Sequence, residues 1–374
     1  MDILFWLDTV PVCCKGIFDA IAARWDGNAY YICNQSLDAN RKKIAMESIT
    51  DSKARLISLS EQKDKLQFVK SILEEHKDDI HIFNGYKSST TPYMEYLLRM
   101  KPDAKTVVWA ERPSPKWKTV FPGSLYHTYY AIRYRNKVTA LLPLGRKGVH
   151  QYERYGWPKR KMFPFLYLPV MNETIPPRDS TANKQVRFVY LGRFSAHYKG
   201  TDVLIRAIKY LKHSNYSLEM VGGYGDLKEE TMAWIEKEPN ASFGGTWPID
   251  EACDRLSQYD VCIVPSKFEG WNVTVNEALM AGIGCIATEG AVSDEMIMAS
   301  GAGMVVQAKD AQALAKAMDR IMENPDLVVD WKKKAYAYRP HMTAQVCADY
   351  FIRVMKYLFE NNKIAERPVA PWLT

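Results

Sequence analysis

The chain has 374 residues, 47% hydrophobic and 25% charged, with a mean hydropathy of −0.29; this is the make-up of about two globular domains and excludes a mostly disordered chain. Apolar runs such as Ile3–Leu7 and Met162–Met171 are too short to cross a bilayer, and seven cysteines without a C-x-x-C pair exclude a disulfide framework or a cysteine zinc site. The net charge is +7, but residues 101–165 hold 14 Lys/Arg against 3 Asp/Glu, so the other 309 residues sum to −4.

Short apolar runs alternate with amphipathic stretches, the pattern of βαβ units and parallel sheets. Strands are predicted at Asp2–Leu7, Ala29–Cys33, Ala54–Leu59, Ile80–Phe83, Thr106–Ala110 and Val138–Leu142, with helices such as Gln62–Glu75 and Pro92–Met100 between them. Asp2 and Asp8 flank the first run, where an export signal carries positive charge, so a cytoplasmic protein is expected. Asn172–Lys184, rich in proline and charge, breaks all periodicity and reads as a linker. A second series follows, with strands at Val186–Leu191, Leu218–Val221, Ser242–Gly244, Val261–Val264, Cys285–Ala287 and Met304–Val306. Helices are predicted at Asp202–Leu211, Lys228–Glu236, Val273–Met280 and Ala311–Met322, and a last one at Thr343–Phe359. The expected architecture is α/β, with two Rossmann-like doubly wound domains facing across a cleft. Residues 1–171 form the first domain, 172–185 the linker and 186–340 the second domain. Residues 341–374 are a C-terminal helix and tail expected to pack back toward the first domain.

Two stretches carry chemistry. In Pro265-Ser-Lys-Phe-Glu269-Gly-Trp-Asn-Val-Thr-Val-Asn-Glu277-Ala-Leu-Met-Ala-Gly282, a strand ends at Val264 and a helix opens near Asn272. Glu269 therefore lies at a strand's carboxyl end, where open α/β sheets bind ligands, and the helix start suits a phosphate. Glu269 and Glu277 can grip two hydroxyl-bearing parts of one ligand. The second stretch, Tyr190-Leu-Gly192-Arg193-Phe-Ser-Ala-His-Tyr-Lys199-Gly200, also joins a strand to a helix. Its Arg193 and Lys199 suit a diphosphate, the guanidinium as a two-pronged donor and the ammonium as a mobile charge.

Together these stretches resemble the retaining, nucleotide-sugar-dependent glycosyltransferases of family 4, which have the GT-B fold. The matching positions are the G-R…K-G loop at Gly192, Arg193, Lys199 and Gly200 and the E-x7-E motif at Glu269 and Glu277. The resemblance implies that Arg193 and Lys199 hold the donor diphosphate. It also implies that Glu269 binds sugar hydroxyls and Glu277 the ribose hydroxyls, that Gly270, Trp271, Asn272 and Val273 are among the donor-binding residues, and that Trp271 and Asn272 shape the sugar pocket. Val221-Gly-Gly-Tyr-Gly225 and Phe243-Gly-Gly-Thr246 look like the family's loops near the nucleobase, which brings in Gly223 and Thr246. The first domain departs from the pattern. Where the family has a Gly-Gly pair after the first strand, this chain reads Val12-Cys-Cys-Lys-Gly16, so only Gly16 fits, with Lys15 as a compensating charge. Glu111 falls where the family often carries a histidine. His81 resembles the family's strand-end histidine region, and a structural role suits it at least as well.

The resemblance implies transfer of a sugar from a UDP- or GDP-linked donor with retention, onto a lipid-linked or polysaccharide/lipopolysaccharide acceptor. The leaving diphosphate would help to deprotonate the acceptor hydroxyl. No Asp-x-Asp pair is present, so neither a metal nor a cofactor is expected. The basic stretch 101–165, interleaved with Trp109, Trp117, Tyr126, Tyr129, Tyr130, Tyr134, Tyr152, Tyr155 and Trp157, is expected to touch an anionic membrane surface at the cytoplasmic face. Its candidate contacts are Lys116–Lys118, Arg133–Lys137, Arg146–Lys147 and Lys159–Lys161. Two alternatives compete with this reading. One is a GT-B-type nucleotide-sugar epimerase; the other is a nucleic-acid-binding protein using residues 101–165, against which the sequence shows no recognition module, so no nucleic-acid partner is expected.

Overall fold

The computed structural model describes residues 1–9, 14–34, 54–113, 122–168, 185–360 and 366–374. The chain divides into two compact units, one of Met1–Leu168 with Ala344–Pro371 and the other of Pro169–Thr343 with Trp372–Thr374.

The first unit holds strands β1 (Ile3–Leu7), β2 (Ala29–Cys33), β3 (Ala54–Ser58), β4 (Ile80–Asn84), β5 (Thr106–Ala110) and β6 (Ala140–Pro143). They form one sheet in the order β3-β2-β1-β4-β5-β6, and every pairing is parallel. The second holds β7 (Val186–Leu191), β8 (Tyr216–Val221), β9 (Ala241–Phe243), β10 (Val261–Val264), β11 (Gly284–Thr288) and β12 (Gly303–Val306). Its sheet runs β12-β11-β10-β7-β8-β9, again all parallel. Both sheets have the doubly wound order, in which the strand sequence reverses direction between the first and fourth strands. Helices cover both faces of such a sheet, so its strands must be apolar on both sides. Accordingly every residue of β1, β5, β6, β10 and β11 is buried.

Most helices match their predicted positions. Lys65–Glu75 starts where Asp64 accepts a hydrogen bond from Gln67 N, and Ala311–Glu323 where Asp310 accepts from Ala313 N; each cap satisfies an amide that the first turn leaves open. The helix Ala344–Phe359 belongs to the first unit. There Phe351 meets Phe5 at 5.7 Å between ring centroids, and Asp349 pairs with Arg24 at 3.2 Å. The expected linker 172–185 lies outside the described residues except for Gln185.

Some readings change, and the helices Asp294–Ser300 and Asp326–Tyr338 were not predicted. Val138 is buried because it closes the turn after a helix, its N–H donating to Tyr134 O, and the sixth strand starts only at Ala140. Within the basic stretch lie two helices, Pro122–Tyr134 and Gly145–Arg154; bounds were predicted for neither, although a helix was expected between the fifth and sixth strands. No helix among the described residues is long and apolar enough to cross a membrane.

Candidate active site

The reversal in the second sheet falls between β7 and β10, which are hydrogen-bonded neighbours. The loops leaving their carboxyl ends are 192–200 and 265–272, and these hold Arg193, Lys199 and Glu269. A crevice at such a reversal point is where doubly wound sheets bind ligands, because the two connections leave on opposite faces. The backbone ties the loops together: Lys267 N donates to Tyr198 O at 2.7 Å, and the Lys267 ammonium reaches Asp202 at 2.8 Å. Across the same gap Lys199 Nζ meets Glu269 Oε1 at 3.0 Å. Residues 70 positions apart in the chain thus share one ion pair, both largely shielded from solvent. Arg193, by contrast, is exposed, and its guanidinium makes no hydrogen bond or ion pair among the described residues. The Arg193 carbonyl accepts from Tyr190 OH at 2.6 Å, which fixes the loop and leaves the cation free.

A buried polar network holds Glu269 in place. Ser266 Oγ donates to Glu269 Oε1 at 3.1 Å and accepts from Asn272 Nδ2 at 3.1 Å. Asn272 Oδ1 caps the helix Val273–Ala281 by accepting from Thr274 N at 2.9 Å. Thr288 Oγ1 donates to Ser266 O, Ser293 Oγ donates to Asn272 O, and Glu269 N donates to Gly290 O. The Trp271 indole N–H is taken by Asn276 Oδ1 at 3.0 Å. The side chains of Trp271 and Asn272 are therefore committed to holding the loop. The amides of Gly270, Trp271 and Val273 have no hydrogen-bond partner among the described residues, so this stretch offers a ligand donors from its backbone.

Glu277 sits on the helix Val273–Ala281, which is buried on every side from Thr274 to Ala281. Desolvation pushes its carboxyl up to about 7, with the Lys199 charge opposing the shift. Near neutral pH this group can therefore accept or donate a hydrogen bond, as a diol-binding carboxyl can use.

The loops after β8 and β9 join the same edge. Gly192 N donates to Val221 O, Gly222 N to Gly245 O at 2.8 Å and Phe194 N to Tyr224 O at 2.8 Å, placing Gly223 and Thr246 beside the 192–200 loop. Tyr224 and Phe243 are exposed there, and neither was singled out from sequence. A tyrosine flanked by glycines on both sides is the signal that could have found the first of them.

Gly16 and Glu111 belong to the first unit. Gly16 lies in the first turn of the helix Lys15–Arg24 that follows β1, and Lys15 pairs with Asp19 at 4.0 Å. Val12 and Cys13 fall outside the described residues. Glu111 follows β5 and is exposed; its carbonyl accepts from Tyr152 OH at 2.7 Å. His81 has a structural part. It lies near the start of β4, accepts from Trp6 Nε1 at 3.0 Å and donates from Nε2 to His76 O at 2.8 Å. Burial lowers it to about 4, so it is a neutral core group.

The basic stretch is less free than its charge suggests. Lys161 Nζ donates to Arg135 O and Val138 O, Arg135 to Gly156 O, and Arg133 pairs with Glu95 at 2.7 Å. Of its aromatics, Trp109, Tyr134, Tyr152 and Trp157 are buried. Lys116–Lys118 lie outside the described residues.

Residues 171–338 match the family model of the glycosyl transferases group 1. The amylovoran biosynthesis glycosyltransferase AmsK of Erwinia amylovora is 26% identical over 200 residues, 50% of this chain and 49% of that one. The lipopolysaccharide core biosynthesis mannosyltransferase LpcC of Rhizobium leguminosarum bv. viciae is 28% identical over 143 residues, 36% of this chain and 40% of its own. The chain thus spans half or less of the curated relatives it matches. Among solved structures, Anabaena HepE in complex with UDP superposes with a TM-score of 0.75 at 13% identity, over 96% of this chain and 100% of that one. The lipopolysaccharide-biosynthesis glycosyltransferase WaaG does so with 0.63 at 14% identity, over 96% and 100%. The chain has the GT-B glycosyltransferase fold, and the part of it that carries Arg193, Lys199, Glu269 and Glu277 matches the glycosyl transferases group 1.

Proposed function

We propose that the chain is a retaining glycosyltransferase of family 4, moving a hexose from a UDP- or GDP-linked donor to a saccharide of polysaccharide or lipopolysaccharide type, free or lipid-linked. The observation that carries this reading is the Lys199–Glu269 pair at 3.0 Å, on loops that also carry an exposed Arg193 with no partner among the described residues, at the reversal point of a doubly wound sheet. An exposed arginine that no described residue neutralises is suited to an incoming diphosphate, and a carboxylate three ångströms from a lysine is suited to sugar hydroxyls. The names of AmsK and LpcC support the acceptor class, and the UDP bound by HepE supports the donor class.

In this mechanism Arg193 and Lys199 stabilise the negative charge that grows on the departing diphosphate. Such preorganised donors supply transition-state stabilisation without rearrangement. The bond from the anomeric carbon to the diphosphate oxygen breaks while the acceptor oxygen bonds to that carbon from the same face. The acceptor's proton passes to a phosphate oxygen of the leaving group. Glu269 orients the sugar and Glu277 the ribose. The residues provide their own countercharge to the diphosphate, so we propose that no metal is required. Peripheral contact of the basic stretch with an anionic cytoplasmic leaflet completes the proposal.

The product's anomeric configuration tests the mechanism. Proton NMR of the new glycosidic linkage formed from an α-linked donor is expected to show an α-configured product, with rates unchanged by a chelator. A β-configured first product contradicts retention, and a chelator-sensitive rate contradicts metal independence.

A further inference from the structure

The helix Pro122–Tyr134 carries apolar residues on two opposite sides. On the inner side Ala131 and Tyr134 are buried. There Tyr130 stacks on Tyr86 with centroids 5.6 Å apart, and His127 stacks on Tyr155 at 5.1 Å. On the outer side Leu125, Tyr129 and Ile132 are 65%, 54% and 57% exposed. Their spacing of four and then three residues places them in one stripe, about 10 Å long at 1.5 Å per residue. A helix on the surface of a soluble domain ordinarily turns polar side chains outward, so this stripe calls for a covering surface.

The surroundings indicate what covers it. The helix contains no acidic residue. Arg133 adjoins Ile132, Lys137 is exposed just beyond the helix, and the exposed Lys87 lies 4.5 Å over the Tyr126 ring. Glu95 pairs with Arg133, and the other two cations remain. Three side chains fall well short of the roughly 800 Å² per partner that a stable protein interface buries. Apolar side chains beside cations are the make-up of a helix lying in an anionic membrane interface.

We propose that this helix is the membrane-docking element. Leu125, Tyr129 and Ile132 enter the boundary between headgroups and acyl chains, while Lys87 and Lys137 meet anionic lipid headgroups. The inference rests on the membrane contact proposed above and adds the side chains that make it.

Vesicle flotation of the full chain tests it, using phosphatidylcholine vesicles with and without phosphatidylglycerol. The wild type is expected to float with the anionic vesicles only. Leu125→Ser/Tyr129→Ser/Ile132→Ser is expected to lose at least tenfold in partitioning with an unchanged circular-dichroism spectrum. Should that variant fail to fold, Tyr129→Cys in a Cys13→Ser background gives one accessible thiol, because the six described cysteines are buried. A polarity-sensitive probe on it is expected to shift to the blue with anionic vesicles and not with neutral ones. A folded triple variant that floats like the wild type, or a probe that stays in water, overturns the docking element and leaves the membrane contact standing. A wild type that binds no anionic vesicle overturns both. A dimer dispersed by the triple substitution assigns the stripe to a second copy of the chain and also overturns the proposal.

Discussion

Glu269→Gln is expected to lower kcat/KM by about 10²–10³-fold, the loss typical of removing one preorganised polar contact from a transition state, with little change in melting temperature. The side chain accepts from Lys199 Nζ and Ser266 Oγ. The amide preserves volume and one acceptor oxygen, but it takes away the charge that positions Lys199 and grips sugar hydroxyls. The loop itself stays tied through Glu269 N to Gly290 O and through the Asn272 cap, so the damage is chemical and not structural. Nucleoside diphosphate affinity is expected to stay within a fewfold, because that ligand leaves the sugar position empty. Initial rates with the activated donor decide the matter. A variant retaining more than a fifth of wild-type kcat/KM removes Glu269 from the reaction.

Gly200→Ala is expected to be among the most damaging single-methyl additions in the second unit. Gly200 has φ +67°, and a Cβ there would lie 1.9 Å from Pro265 O. Both atoms that collide are fixed to the backbone, so no rotamer change relieves the contact. The loops 192–200 and 265–272 must separate, carrying Lys199 away from Glu269. Gly245 provides the comparison within the same unit: its φ is +71°, but nothing lies within 4 Å of an added Cβ. Gly245→Ala should cost only the left-handed backbone term, about 1 kcal/mol, or roughly 2–4 °C in a domain of this size. Gly200→Ala should exceed it several-fold in Tm and abolish transfer. Equal melting temperatures for the two variants would show that the loops are not locked at Pro265.

The contrast between these positions explains how much was readable beforehand. The strands were legible because sheets covered on both faces demand uninterrupted apolar runs, and β2, β5, β7 and β10 occupy the predicted residues. The helix of Glu277 was legible from its ends, Asn272 and Gly282, although burial on all sides gives it no polar face. Within the site, the approach of Lys199 to Glu269 follows from two loops leaving neighbouring strands, which motif order anticipates. What the sequence could not reveal was how polar groups are spent. Trp271 and Asn272 read as pocket residues, but their side chains brace the loop. Lys161 and Arg135 read as surface charge, but they donate to backbone carbonyls. Their partners lie on other elements, and a charge count carries no information about them. The bounds of the two helices of the basic stretch were hidden for a related reason. Their aromatic residues serve the inner packing and, at Tyr129, the outer stripe, so no single apolar period stands out.

The most direct measurement is a titration of the wild type and Arg193→Ala with UDP, GDP, ADP, CMP and dTDP, read by thermal shift and calorimetry. One nucleotide is expected to bind the wild type and, at 100 times its Kd, to stabilise it by about 2.7 kcal/mol. Arg193→Ala should bind that nucleotide about 10–100-fold more weakly, the worth of a charge-assisted contact of roughly 1.5–3 kcal/mol. If no member of the panel binds, or if Arg193→Ala binds as tightly as the wild type, the switch-point loops do not hold a nucleoside diphosphate and the glycosyltransferase account fails.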